Sequence, residues 1–180
     1  MNNKVALEIR SISCSQDRTG AYALVLGEIN GNRNILLIIG ATEAQAILIE
    51  QKGIAPPRPL THHLFASVLK VLGIHMLRTL IYKVENGVFY SYLFLNAGEN
   101  ILRVDARPSD SIALALCMQA PILIDEELLN TEHLKEEFYN PYQWEYTDDP
   151  EILKAALQRA IDLEDYEEAA ILRDKLNKQS

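Results

Sequence analysis

Cysteine is scarce: the 180 residues hold only Cys14 and Cys117. They lie far apart, with no CxxC spacing, which excludes a disulfide framework and a zinc knuckle. Reduced thiols in a cytosolic protein are the expectation. Long apolar runs are also missing. The longest, "ILLIIGA", is far too short to span a bilayer. The opening "MNNKVALEIR" lacks the apolar core of a signal peptide. A cytoplasmic chain with no membrane contact is therefore expected. No HxH, no HExxH and no dense acidic triad is present, so no ready-made metal motif stands out. Net positive charge is absent too. The formal balance is −8, which looks unfavourable for nucleic acid.

That charge is unevenly spread. Residues 1–124 carry 11 Lys+Arg against 9 Asp+Glu, whereas residues 125–149 carry one Lys against 9 acids. The body is nearly neutral, and the acid sits in one block that reads as a solvated linker. The spacing divides the chain into a main domain over 1–130, an acidic linker over 131–149 and a helical hairpin over 150–180.

The main domain reads as strands and helices in a repeating order. Val5, Leu7 and Ile9 alternate with polar residues, predicting a half-buried strand over 4–13. "AYALVLGEI" and "NILLIIG" follow as strands about an Asn30-Gly31 hairpin signal. "GATEAQAILIEQKG" predicts a helix capped by Thr42 and stopped by Gly53. After a proline-rich loop, a second helix runs from about His62 to Leu72. Then "HMLRTLIYKV", "VFYSYLFL" and "ILRVDA" read as strands, with Asn86-Gly87 a turn. Ser109 caps the helix "DSIALALCM", and "APILI" is a last buried strand. Three strands plus a helix thus occur twice. This is either an internal duplication or two unrelated passages of the same kind. The expected fold is α+β with a largely antiparallel or mixed sheet. Beyond Pro150, two amphipathic helices separated by a few residues predict an antiparallel hairpin that must dock on something.

The loop "APPRPLTHH" is the most heavily stiffened stretch. Pro57 and Pro59 flank Arg58 and fix its backbone, so its guanidinium is aimed. Hydrolysis of a phosphodiester needs a positioned water, a group or metal to activate it, and positive charge facing the phosphate. Arg58 and Arg107 can grip phosphate. His62 or His63 can move a proton. Glu43, Asp105 and Asp110 can hold Mg²⁺ or Mn²⁺. Thr61 and Ser109, at helix starts, sit where backbone N–H groups favour an anion. Each has a plainer reading. Glu43 and Asp110 suit a helix dipole, Asp105 and Arg107 can pair with each other, and His62 can serve as a cap. The residues Tyr82, Phe89, Tyr90, Tyr92 and Phe94 alternate along a hairpin, where a core face plus a subunit contact is favoured over base stacking.

"IGATEAQAI", "PPRPLTH" and "LRVDARPSDSIALAL", in that order, resemble the bifunctional nuclease (BFN) family. The resemblance covers roughly Lys4 to Leu129. It implies a compact α+β domain, often a homo-oligomer, with DNase and RNase activity attributed to some members. Where that family's loop usually reads Thr-His-Asp, this chain has Thr61-His62-His63. The tail "LQRAIDLEDYEEAAILRDKLNK" resembles the UVR motif, a helical hairpin. That resemblance implies contact with a protein partner through Tyr166, Ala169, Ala170 and Arg173. Two functions follow. One is a nuclease acting on DNA or RNA through Arg58, His62, Asp105, Arg107 and Asp110, with Thr61, His63 and Ser109 at the substrate. The other is a non-catalytic adaptor in repair or stress response that recruits partners through the tail.

Overall fold

The computed structural model describes residues 3–14, 20–133 and 173. Seven strands and four helices are found among them. The chain begins with β1 (Lys4–Cys14), β2 (Ala21–Glu28) and β3 (Asn34–Gly40), then α1 (Ala41–Gln51) and α2 (Thr61–Val71). It continues through β4 (His75–Glu85), β5 (Val88–Ala97) and β6 (Asn100–Ala106) to α3 (Pro108–Cys117). β7 (Ile122–Asp125) and α4 (Glu126–Glu132) complete it.

All seven strands form one sheet in the order β3-β2-β1-β7-β4-β5-β6. Each group of three is an antiparallel meander running outward from the centre. β7 fills the gap, antiparallel to β1 and parallel to β4. The sheet is therefore mixed, as expected, and each meander is followed by a helix. The predicted C-terminal hairpin lies outside the described residues.

The turns show why local signals sometimes mislead. Asn86 and Gly87 both adopt positive φ, at 51° and 77°. That is the conformation a two-residue hairpin turn requires, and Asn-Gly adopts it most easily. Asn30-Gly31 carries the same signal but not the same turn. The link from β2 to β3 is longer, and the Glu28 N–H is bonded to the Arg33 carbonyl at 2.9 Å. The Arg33 guanidinium closes that loop onto both Glu28 carboxylate oxygens, at 2.7 and 2.8 Å.

The helix starts also differ from expectation. The residues preceding the helices as caps are Gly40, Leu60 and Arg107, and none supplies a side-chain cap. Thr42 and Ser109 lie inside their helices rather than before them. Gly53, at φ 62°, ends α1 as predicted, and Gly73, at φ 69°, ends α2 in the same way.

α3 is the central helix. It packs on β4 and β5 and is flanked by α1 and α2. Most of it is buried, including Ile112, Leu114 and Ala115. Three hydroxyls lie in this apolar layer. Thr79 donates to Ser111 at 2.8 Å, Ser111 and Ser91 stand 2.9 Å apart, and Ser91 donates to the Ala106 carbonyl at 2.7 Å. Ser111 in turn donates to the Pro108 carbonyl at 3.0 Å, so Ser111 is the centre of a network in which each hydroxyl has a carbonyl or hydroxyl acceptor for its one proton. It joins the start of α3 to two strands and so places Arg107 and Asp110. α2 is less well covered. Leu64, Phe65, Val68, Val71 and Leu72 are exposed along its outer side.

Candidate functional site: a carboxylate and two imidazoles beside a cavity

The residues singled out from the sequence divide into three places. At the first, Arg107 links the starts of two helices. Its guanidinium donates to both Asp110 oxygens, at 2.7 and 3.1 Å, and lies 3.0 Å from Glu43 Oε1. Gly40 permits this, because a Cβ there would fall on the Glu43 carboxylate. The Arg107 charge is held mainly by Asp110, then by Glu43, which raises its pKa. Both acids are engaged by one arginine, and Ser109 beside them is buried.

The second place is on the other side of the sheet. Ser91, Leu93 and Leu95 are the buried residues of β5, and Ser91 meets α3; Tyr90, Tyr92 and Phe94 alternate with them on the opposite face. Asp105 pairs in register with Tyr92 and accepts the Tyr82 hydroxyl at 3.5 Å. The expected grouping of Glu43, Asp105 and Asp110 around Mg²⁺ or Mn²⁺ is thus not assembled. Strand alternation turns Asp105 away, and Arg107 occupies the other two. The aromatic stripe divides as well. Phe89 packs against the core. Tyr82 stacks on Tyr92 at 3.9 Å, Arg103 lies over Tyr92, and Arg78 lies over Phe94.

The third place gathers His62 and His63 with a residue the sequence reading missed, Glu50. The chain leaves α1, passes through the proline loop and begins α2 beside the end of α1. Glu50 Oε1 lies 2.9 Å from His62 Nε2 and 2.6 Å from His63 Nε2. The two rings are 4.1 Å apart. Glu50 and His62 side chains are only 14% and 10% exposed, so this contact is largely shielded from water. Among the described residues, this is the group of three ligating side chains close enough to share an ion.

His63 has a second task. The Leu60 backbone N–H donates to its Nδ1 at 3.1 Å. Leu60 has no polar side chain to cap α2, and His63 reaches back from the third helical position to satisfy that N–H instead. Such a return contact is the other half of a capping box. With Nδ1 accepting, the proton of a neutral ring is on Nε2, aimed at Glu50.

A signal for Glu50 was present in the sequence. An acid in the last turn of a helix faces the negative end of the dipole and gains from donors brought to it. Cys117, at the end of α3, senses the same carboxylate. Burial first, then the Glu50 charge, holds its thiol above the ordinary value, so it is not poised as a thiolate.

Two of the three, Glu50 and His63, border a cavity of about 420 Å³. Ile49, Ile54, Ala55, Pro56 and Pro59 form its apolar walls, with Glu50 and His63 as polar groups. Arg58 stands on the same loop between two of those prolines. It is exposed, and among the described residues no hydrogen bond or ion pair ties it to an acid. Neither Asp105 nor Asp110, which lie elsewhere in the fold, contacts it. Thr61 is exposed at the first position of α2.

Residues 24–137 match the bifunctional nuclease domain family. The chain belongs to that family. Residues 153–178 match the UvrB/UvrC motif. Of the motif positions named from the tail, Tyr166, Ala169 and Ala170 lie outside the described residues, and Arg173 is helical and exposed. An uncharacterised protein of Mycobacterium tuberculosis is 42% identical over 106 residues, covering 59% of this chain and 63% of its own length. A protein named bifunctional nuclease from Oryza minuta, and one named bifunctional nuclease 1 from Oryza sativa, are each 25% identical over 97% of this chain. The chain spans 58% of the length of those rice proteins. Among the described residues of this family member, no helix is long and apolar enough to cross a membrane.

Proposed function

We propose that this bifunctional nuclease domain hydrolyses phosphodiesters of DNA or RNA at the cavity between α1 and α2. The observation that supports the reading is the Glu50–His62–His63 trio beside Arg58. Breaking a P–O bond needs a group to activate water and a cation for the charge gathering on phosphate. The shared carboxylate orients imidazoles that can take part in proton transfer. Arg58, held between prolines and engaged by no described acid, is the cation available to a phosphate. Arg107 is less suited, because two carboxylates already neutralise it. The UvrB/UvrC motif is read as a protein-binding hairpin. Self-association, through the uncovered apolar side of α2, belongs to the same proposal.

The test is cleavage of labelled single- and double-stranded DNA and RNA with Mg²⁺, Mn²⁺ or EDTA. Loss of cutting in folded Arg58→Ala, with cutting kept in Asp110→Ala, supports the cavity. The reverse pattern would move the reaction to the Arg107 cluster. No cutting of any substrate favours the adaptor reading, for which the UvrB/UvrC motif match is the supporting observation.

A further inference from the structure

We propose that Glu50, His62 and His63 form a binding site for one divalent transition-metal ion of the zinc class. The inference deepens the hydrolase reading at the same cavity, but ion binding itself does not depend on that reading. Three observations carry it.

The first is the donor set. Two imidazoles and one carboxylate suit zinc and its neighbours, whereas Mg²⁺ and Ca²⁺ prefer all-oxygen shells. The second is spacing. The three ligating atoms lie within 4.8 Å of one another. Donors around a tetrahedral zinc stand about 3.4 Å apart, given bonds of about 2.0–2.1 Å. The observed 2.9 and 2.6 Å are hydrogen-bond separations. Each must widen by less than about 1 Å to admit the ion. The third is the open side. Glu50 and His63 also line the cavity, leaving a coordination position for water or a phosphate oxygen.

The exchange has a definable cost. In the metal-free state His63 accepts the Leu60 N–H at Nδ1 and carries its proton on Nε2. To ligate through Nε2, the ring must lose that proton and take one up on Nδ1. The net proton count is unchanged, but the Leu60 N–H loses its acceptor. Metal uptake therefore loosens the first turn of α2. When bound, the ion rather than an imidazole would activate water, and His62 becomes a ligand.

The experiment titrates the full chain with Zn²⁺ by calorimetry and with Co²⁺ by visible absorption. Glu50→Gln and His63→Asp are run beside it. His63→Asp is the informative variant, because aspartate at that position can still cap Leu60 yet is too short to replace Nε2 at Glu50. The expected result is one ion per chain. Affinity should fall at least about tenfold in both variants, the scale of losses seen even for outer-shell changes. His63→Asp should keep wild-type stability. No uptake by the wild-type chain, or uptake unchanged in both variants, overturns the site. Uptake without any cleavage keeps this inference and removes the hydrolase reading. Cleavage that survives EDTA with no ion bound does the opposite.

Discussion

His63 accepts the backbone N–H of Leu60 at 3.1 Å, so the residue that departs from the usual Thr-His-Asp loop still performs a capping task. Aspartate at the third helical position would offer a carboxylate acceptor for the same N–H. The substitution thus retains the cap and adds a second nitrogen that meets Glu50 at 2.6 Å.

His63→Ala removes that acceptor and is expected to cost about 1 kcal/mol of stability, the usual scale for a lost helix cap. His63→Asp should be close to neutral. Urea unfolding followed by circular dichroism measures both. Equal losses in the two variants would show that the Glu50 contact, not the cap, is what stabilises α2.

Ser111→Ala breaks the hydroxyl network beneath α3. Thr79 is fully buried and would keep only a long 3.4 Å approach to the Tyr92 carbonyl. The expected loss is about 1–3 kcal/mol, the cost of an orphaned buried polar group. Adding Thr79→Val should recover part of it, because the orphan is then gone. Chemical denaturation of the single and double variants reads the coupling. Simple additivity would mean that the two hydroxyls act independently.

Tyr82 is pushed up to about 12 by its hydroxyl contact with Tyr92, then by burial, with the negative charge of Asp105 adding to both. An unfolded tyrosine titrates near 10. The folded state therefore holds the proton more tightly. Its contribution to stability is complete below about pH 10 and is lost as pH rises toward 12. Phenolate absorbance against pH should show one tyrosine titrating late. Asp105→Asn should bring it down. A late tyrosine unaffected by Asp105→Asn would leave Tyr92 and burial as the whole cause.

The strands were legible because alternation is a local property. Val5 and Leu7 on β1, and Ser91, Leu93 and Leu95 on β5, are buried at every second position as the pattern demands. Gly53 and Gly73 were equally legible, since a left-handed residue after a helix needs no tertiary partner. The caps were not. Thr42 and Ser109 carry good capping chemistry, but the helices begin earlier, at Ala41 and Pro108, where the strand before each one ends. Tertiary placement of the strand end overrode the side-chain preference.

Periodicity, turn residues and family motifs in the sequence were enough to determine the α+β class, the two three-strand meanders and the membership of the bifunctional nuclease family. Each depends on residues near one another in the chain or on a recognisable order of motifs. Which charged groups meet was decided only by the tertiary structure. Pairing across the sheet set Asp105 beside Tyr92 and Tyr82, and Arg107 was taken up by Glu43 and Asp110. The return of the chain from α1 into α2 brought Glu50 against His62 and His63. Charge pairing is a matter of distance in space, and no local pattern records how far apart two segments will lie once the core has packed.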